Sequence, residues 1–376
     1  MQQINRFLGS QVSEIMNIRY LMFFLLLLIS FFGKTQVGLN EPAHIFYQGD
    51  EILVKSIVEG KLKADKLNRK SKGTIKVEVE FPSHKDWNFT VNLKPILKDE
   101  PSEFKTKSNL FVISDIEGEF EAFRKLLVVN GIMDEKYNWM FGKGHLVICG
   151  DLFDRGVQVT QELWLLYKLE QDAKAKGGYV HTILGNHDIM NISGDLRYVD
   201  DRYFQVAKLF GVDYMALYSK ETELGQWLRT KNTIEKIGDN LCLHAGVSPQ
   251  ISWLNMSLKD INDKSRPYYD KAKDMNGVGD VSMNKFFDSN TSLFWYRGYF
   301  KAPKIAEEDI DQTLALYGVR RIIVGHTIVP ENLGFSYNGK VLGIDVNQHE
   351  GDHQAALFED GIWYKVNDKG FKIELK

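Results

Sequence analysis

Residues 108 to about 190 alternate between short apolar runs and longer amphipathic segments. The runs NLFVIS, HLVICG and YVHTILG are predicted to be buried strands, and the intervening segments EFEAFRKLLVVNG and TQELWLLYKLEQDAKAKGG have helical spacing and end at glycine. This alternation predicts βαβ units around a parallel sheet. Further strands are predicted at LCLHA, RRIIVGH, KVLGIDV and AALFED, the last pairing with IWYKVN through Asp360 and Gly361.

Residues 37–107 have a different pattern. The pieces EILVKSIVEG and TIKVEVEF alternate apolar and polar positions with period two, which is typical of half-buried strands, and WNFTVNL is a further strand candidate. The polar stretch LKDEPSEFKTKSN contains Pro101 and is predicted to be a linker. We therefore predict a small β-rich appendage over residues 37–107 and a main α/β domain over residues 108–376.

Residues 1–36 are predicted to be a targeting segment. The apolar run at residues 21–32 has 12 residues, is interrupted only by Ser30 and follows Arg19. It is shorter than the roughly 20 residues that span a membrane, and it matches the apolar core of a secretory signal peptide. The alternative is an uncleaved N-terminal anchor, because GKTQ is a poor cleavage site. We expect an exported protein of the periplasm or cell envelope that touches the membrane only through this segment, if it is uncleaved.

Composition narrows the class of protein. Hydrophobic residues make up 44% and charged residues 26%, as in ordinary globular chains. The 47 Lys and Arg nearly balance the 50 Asp and Glu, so no broad nucleic-acid-binding surface and no nucleic-acid partner are expected. With 2 cysteines, a disulfide scaffold and a Cys-rich zinc module are both excluded. Cys149 and Cys242 are interpreted as buried strand residues.

Polar clusters follow five of the predicted strands. They are SDIEG from Ser114, GDLFDRG from Gly150, GNHD from Gly185, HAG from His244 and GHT from Gly325. Ligands of open α/β sheets bind at the carboxyl ends of strands, so these clusters are expected to converge. One such cluster alone is more often a turn or a helix cap, but five in order are not. Convergence would place three carboxylates, one amide oxygen and two imidazoles together, which is enough to hold two divalent cations. These candidate ligands are Asp115, Glu117, Asp151, Asn186, His244 and His326.

The clusters resemble a known family. GDLFDRG, GNHD, HAGVSP and GHT are similar to the second to fifth motif blocks of the calcineurin-like metallophosphoesterases, in their phosphoprotein-phosphatase branch. GNHDIMNISGDLRYV and LFWYRGY most resemble the Shewanella-like bacterial phosphatases. The resemblance covers about residues 108 to 350. It implies a metallophosphoesterase-type β-sandwich flanked by helices, and makes residues 108–376 the catalytic domain.

The resemblance also implies a role for each site residue. The first metal ion would be held by Asp115, Glu117 and Asp151. The second would be held by Asp151, Asn186, His244 and His326, with Asp151 shared. His187 would be the proton donor, oriented by Asp154, and Arg155 and Arg297 would hold the phosphate oxygens.

One residue departs from the family pattern. The first block is usually Asp-x-His-Gly, whereas this chain has Glu117 at the third position. A carboxylate adds negative charge and a harder oxygen, so the first site should favour Mn²⁺, Mg²⁺ or Fe over Zn²⁺. The expected cofactors are therefore two divalent metal ions, with Mn²⁺ first and Fe, Mg²⁺ or Zn²⁺ as alternatives.

The expected function is that of a dinuclear-metal-dependent phosphomonoesterase, which hydrolyses by in-line attack of a metal-bound hydroxide. A phosphoprotein (Ser/Thr/Tyr) phosphatase is favoured, with a phosphorylated protein, a peptide or a small phosphoester as substrate. Two alternatives stay open: a nucleotide or dinucleoside polyphosphate hydrolase, and a non-catalytic envelope protein that binds metal or phosphate. Four aromatic residues are candidates to stack on a phosphotyrosine ring, unless they belong to the core. They are Tyr198, Tyr203, Trp295 and Tyr296.

Overall fold

The computed structural model describes residues 38–275, 280–329 and 333–376, and Asn40–Lys376 form one compact unit. The predicted targeting segment, residues 1–36, lies outside the described residues. Within the described ranges, no helix combines the length and the apolar character needed to cross a membrane.

The described residues form 17 strands. In chain order they are β1 (Glu41–Gln48), β2 (Glu51–Val58), β3 (Lys61–Asn68), β4 (Lys76–Val79), β5 (Phe89–Asn92), β6 (Glu103–Phe104), β7 (Leu110–Ile113), β8 (His145–Cys149), β9 (Tyr179–Ile183), β10 (Ile234–Ile237), β11 (Asn240–Leu243), β12 (Arg321–Val324), β13 (Gly334–Ser336), β14 (Val341–Gly343), β15 (Gln354–Glu359), β16 (Ile362–Asn367) and β17 (Lys372–Glu374). The α-helices are α1 (Phe120–Val129), α2 (Val159–Ala175), α3 (Asn186–Ser193), α4 (Asp201–Phe210), α5 (Tyr214–Leu217), α6 (Glu223–Arg229), α7 (Pro249–Ser252), α8 (Leu258–Ser265), α9 (Val281–Phe287) and α10 (Glu307–Tyr317).

Two six-stranded sheets carry the fold. One has the order β17-β16-β15-β7-β8-β9, with β7, β8 and β9 parallel. The other has the order β13-β14-β12-β11-β10-β6, with β11, β12 and β14 parallel. The predicted βαβ units and the predicted α/β sandwich are confirmed.

The two sheets share one hydrophobic core. Val147 and Cys149 of one sheet and Cys242 and Ile323 of the other belong to the same buried cluster. Burying a side chain such as Val147 or Ile323 contributes about 1.5–3 kcal/mol, so the apolar runs that predicted the strands also hold the sheets face to face. Both cysteines are buried strand residues, as predicted.

Helix α3 brings the third polar cluster to the sheet edge. It begins at Asn186, three residues after β9 ends, and it stops where Gly194 adopts a φ of 89°. That left-handed conformation is one that glycine adopts without steric cost, which explains the short helix. All eight residues of α3 are buried, so its polar side chains face the protein interior.

The N-terminal residues are β-rich, as predicted. Strands β1, β2 and β3 form an antiparallel sheet, and β4 pairs with β5. The prediction of a plain linker before residue 108 is wrong, because Glu103–Phe104 pairs with β10 and completes the edge of a central sheet. Glu100 in the same stretch accepts a hydrogen bond from buried Lys231 at 3.1 Å. The domain boundary at residue 107 stays a prediction.

A buried polar chain links the two sheets beneath this edge. The ring nitrogens His145 Nδ1 and His181 Nε2 lie 2.8 Å apart, and His181 Nδ1 lies 2.7 Å from Glu235 Oε2. Burial lowers the pKa of His181 to about 3 and raises the pKa of Glu235 to about 8. Both groups are therefore neutral near pH 7, which is the state that tolerates burial.

Candidate metal centre

The predicted ligands follow the carboxyl ends of the parallel strands. Asp115 lies two residues after β7, Asp151 two after β8, His244 one after β11 and His326 two after β12. His244 Nε2 lies 3.2 Å from Asp151 Oδ2. It also lies 2.8 Å from Asn186 Oδ1, so three of the predicted ligands meet at one point.

The backbone at this edge is strained. Positive φ angles occur at Asp115 (54°), Glu117 (52°), Asp151 (58°) and His326 (63°). Such conformations cost about 1–3 kcal/mol each for residues other than glycine, and they cluster at functional sites. The loops support one another, because Glu117 N donates to the Asp151 carbonyl at 3.1 Å. The strain therefore coincides with the predicted ligands.

Glycines next to the ligands leave room for them. A Cβ on Gly185 would lie 2.2 Å from Asp151 Oδ1, and a Cβ on Gly150 would lie 2.6 Å from His244 Nδ1. Neither distance is compatible with a side chain. Both positions therefore require glycine for space, and Gly150 also requires it for its φ of 87°.

Backbone carbonyls fix the tautomers of both predicted histidine ligands. His244 Nδ1 donates to the Cys149 carbonyl at 2.7 Å, which turns Nε2 towards Asp151 and Asn186. His326 Nε2 donates to the Trp295 carbonyl at 3.2 Å, which leaves Nδ1 for a ligand. Burial lowers the pKa of His326 well below its ordinary value, so its imidazole is neutral, as metal binding requires.

Charge makes this cluster suited to cations. Burial raises the pKa of Asp115 to about 6; nearby His244 opposes the rise and Asp151 adds to it. Burial disfavours a charged His244, but the Asp151 carboxylate outweighs it and raises the pKa of His244 to about 10. A divalent cation between these groups would neutralise the carboxylates and displace that proton.

Asp151 belongs to two possible metal-binding groups. Asp151, His244 and His326 form one, and Glu117, Asp151 and His187 form the other, with donor atoms within 4.8 Å of one another in each group. Asp115 stands beside them, because its Oδ2 accepts from the His326 amide at 3.1 Å. The donor set fits divalent cations.

His187 has the surroundings that a proton donor needs. Its Nδ1 donates to Asp154 Oδ2 at 2.6 Å, and its Nε2 lies 3.9 Å from both Glu117 Oε1 and Asp151 Oδ2. Burial lowers the pKa of His187, but Asp151 and Asp154 outweigh it, so the net pKa is raised. Nε2, the nitrogen that would donate the proton, faces the cluster.

Both predicted phosphate-binding arginines stand at the rim. Arg155 forms an ion pair with Glu117, and its side chain is 43% exposed. Arg297 Nη1 donates to the His326 carbonyl at 2.7 Å and lies 3.3 Å from Thr327 Oγ1. Each arginine thus contacts one of the predicted ligands.

Sequence reasoning missed two residues that hold the site together. Asp188 accepts backbone hydrogen bonds from Asp151 (3.1 Å), Leu152 (2.8 Å) and Gly185 (2.7 Å), and so it ties the second loop to the third. Asn191 donates to Asp154 Oδ1 at 2.7 Å. Asp188 is the last residue of the GNHD motif, and Asn191 lies four residues after His187, on the same face of helix α3. Both positions could therefore have been recognised from the sequence.

A third missed residue is Asp345. It is buried, lies two residues after β14, and interacts electrostatically with Asp115 and Arg297. Burial, together with Asp115, raises the pKa of Asp345 well above its ordinary value. The same strand-end rule that found Asp115 and Asp151 would have found it.

Two of the four candidate aromatic residues border the site. The Tyr198 ring lies 5.2 Å from the His187 ring and is 47% exposed, and the Trp295 ring lies 5.7 Å from the His326 ring. Tyr203 is buried, and its hydroxyl accepts from the Val159 amide, so it belongs to the core. The ring of Tyr296 packs against Tyr299.

Comparisons with known proteins identify relatives of this chain. The family model described as calcineurin-like phosphoesterase matches residues 108–330. The chain is 26% identical over 296 residues to Shewanella-like protein phosphatase 2 of Arabidopsis thaliana, covering 66% of this chain and 74% of the relative. It is 32% identical over 146 residues to the symmetrical bis(5'-nucleosyl)-tetraphosphatase of Buchnera aphidicola, covering 37% of this chain and 45% of the relative. The crystal structure of a cold-active protein-tyrosine phosphatase of a psychrophilic Shewanella species superposes with a TM-score of 0.79 at 33% identity, covering 89% of this chain and 98% of that one.

Proposed function

Because the chain belongs to the calcineurin-like phosphoesterase family, we propose that it is a dinuclear-metal-dependent phosphomonoesterase that acts on phosphoproteins. Family membership and the phosphatase relatives make it a phosphoric ester hydrolase. The observation that carries the finer proposal is the position of Asp151, whose carboxylate belongs to two separate groups of donor atoms. A carboxylate shared in this way is what two neighbouring cations need.

The proposed ligands divide into two sets that share Asp151. The first set adds Asp115 and Glu117, and the second adds Asn186, His244 and His326. When bound, the two cations would neutralise phosphoryl oxygens and lower the pKa of the attacking water. The carboxylate of Glu117 favours Mn²⁺, Mg²⁺ or Fe at the first site, and we place Mn²⁺ first.

The protein's own groups supply the remaining chemistry. The His187 imidazolium protonates the leaving oxygen through Nε2, while Asp154 fixes the ring and stabilises its positive charge at Nδ1. Arg155 and Arg297 offer planar pairs of N–H donors to the phosphoryl oxygens, in a geometry that lysine cannot provide. Retention of these four groups supports turnover over the alternative of a non-catalytic binding protein.

The substrate class rests on the relatives and on Tyr198. The solved Shewanella structure is titled a protein-tyrosine phosphatase, and its likeness extends over 89% of this chain. The exposed Tyr198 ring beside His187 could contact an aryl leaving group. The nucleotide alternative is supported by the tetraphosphatase similarity, which covers 37% of the chain.

Matched substrates would test this proposal. The Mn²⁺-loaded full chain would be assayed on one peptide phosphorylated at Tyr, Ser or Thr in turn, and on a dinucleoside tetraphosphate. We expect phosphopeptide hydrolysis with two metal ions bound per chain, and none in an Asp151→Asn control. A preference for the tetraphosphate would favour the nucleotide alternative, and absence of turnover with both metals bound would favour the non-catalytic one.

We also propose export to the periplasm or cell envelope, supported by the apolar run at residues 21–32. Residues 1–36 fused to a reporter that is active only after export would test this. An inactive, cytoplasmic reporter would contradict it.

A further inference from the structure

A cavity lies at the end of the two central sheets opposite the metal centre. Its volume is about 830 Å³, which is within the range of small-molecule sites. The cavity is lined by Leu110, Asn240 and Arg321, which are the first residues of β7, β11 and β12. The predicted ligands follow the other ends of these strands. A four-residue strand spans roughly 13 Å, so the cavity is separate from the metal centre.

Positive charge dominates the lining of this cavity. Five cationic and two acidic side chains give it a net charge of +3 (five minus two), whereas the whole chain carries −3. The cations are Lys105, Lys107, Lys236, Arg320 and Arg321, and the acids are Glu103 and Asp239. Within the described ranges, no acidic side chain pairs with Lys105, Lys107 or Arg320. These three exposed cations are thus free to meet an anion.

Arg321 is held in place by its neighbours. Its Nε donates to the Gly339 carbonyl at 3.1 Å, and its guanidinium lies 4.8 Å from the Phe335 ring centre and 5.5 Å from that of Trp363. The four N–H donors of its two terminal nitrogens remain for a ligand. Burial and the neighbouring positive charge of Arg320 lower the pKa of Arg321. A bound anion would relieve the repulsion between the two arginine side chains. A fixed guanidinium fork matches phosphate oxygens.

The cavity also offers apolar contact from both sheets. Phe104 of β6 and Phe358 of β15 line it, and both rings are partly exposed. A cavity lined by both cationic and aromatic side chains suits a ligand that contains both an anionic group and a flat ring. We propose that this cavity binds a small organic phosphate with a planar ring, of the size and chemistry of a mononucleotide.

Photolabelling would locate the ligand directly. The metal-loaded full chain would be mixed on ice with 8-azido-adenosine monophosphate, irradiated within seconds, digested and mapped. We expect label on peptides containing Phe104 or Phe358. AMP should compete at least about tenfold better than inorganic phosphate or adenosine, since it alone engages both the cations and the rings. Label confined to peptides of the metal centre, or inorganic phosphate competing as well as AMP, would overturn the proposal.

Variants that remove positive charge from the cavity provide a second test. Lys105→Gln combined with Arg320→Gln should lower labelling at least about tenfold, because charge-assisted contacts are lost. Hydrolysis of nitrophenyl phosphate should be unchanged, because both side chains are exposed and distant from the metal centre. Lys61→Gln combined with Lys70→Gln removes the same charge from exposed sites elsewhere and should leave labelling unchanged. Equal labelling of the two double variants would contradict the proposed site.

Discussion

His187 and Asp154 are joined by a hydrogen bond of 2.6 Å between Nδ1 and Oδ2. Asn191 holds the other oxygen of Asp154, and Tyr214 in turn donates to Asn191. The imidazole is therefore the end of a buried chain of oriented groups, with Nε2 left to face the metal cluster. A histidine held in this manner can be protonated without turning away from the leaving group.

Removal of the proposed acid should affect substrates unequally. His187→Ala should lower kcat by about 10²–10⁴-fold for an alkyl phosphate, the usual range for general acid catalysis. The loss should be smaller for nitrophenyl phosphate, because nitrophenolate leaves with little need of a proton. Metal content measured in parallel must stay unchanged. Equal losses on both substrates would indicate that His187 has a structural or phosphate-binding role instead.

The pH profile should report the same group. The acid form of His187 persists below its pKa and is lost as pH rises through it, so kcat should fall on an alkaline limb. Asp154→Asn removes one of the charges that raise the pKa and should move this limb to lower pH. The measurement is kcat against pH for both proteins on an alkyl phosphate. An alkaline limb at the same pH in both proteins would show that Asp154 does not raise the pKa of the general acid.

The shared carboxylate can be tested by isosteric replacement. Asp151→Asn keeps the shape of the side chain but removes the negative charge that both groups of donors share. We expect loss of at least one bound metal ion and of nearly all activity, as seen by metal analysis and phosphopeptide hydrolysis. Near-normal rates with full metal content would exclude the proposed two-metal arrangement.

Much of the site could be predicted because its signals are local. Asp115, Asp151 and His326 stand in short polar clusters after apolar runs, so sequence alone places them at strand ends. Other features depend on contacts between distant segments. Strand β6 has only two residues and exists because β10 offers a free edge. Asn191 matters only because the fold brings Asp154 to it, and no pattern in the sequence indicates that Glu235 is buried against His181.

The buried Glu235 predicts an unusual dependence of stability on pH. Its folded pKa of about 8 lies above the value of 4.5 for an exposed glutamate, so the folded state retains a proton that the unfolded state releases between these values. Its contribution to stability is complete below pH 4.5 and is lost as pH rises towards 8, at up to ~1.4 kcal/mol per pH unit. Glu235→Gln should remove this loss. Relative to wild type, the variant should become steadily more stable in urea from pH 5 to pH 8, whereas exposed Glu374→Gln should not.

Glu117 offers the sharpest test, because it departs from the family motif and forms an ion pair with Arg155. If Glu117 is a first-site ligand, Glu117→His keeps the Asp-x-His-Gly spacing and should give an active enzyme. Its metal preference should move towards Zn²⁺, since imidazole suits that ion better than a carboxylate does. The change also frees Arg155 from its acidic partner, so KM for the phosphopeptide should fall or stay level.

Glu117→Ala separates the ligand role from the ion pair. It frees Arg155 as the histidine variant does, but it supplies no donor atom, so first-site metal and most activity should be lost. The second metal should remain on Asn186, His244 and His326, which lie on other loops. Metal stoichiometry and rates for wild type and both variants across Mn²⁺, Mg²⁺ and Zn²⁺ distinguish the cases. If Glu117→Ala keeps two metal ions and the wild-type rate, Glu117 is not a ligand, and its carboxylate serves only to position Arg155.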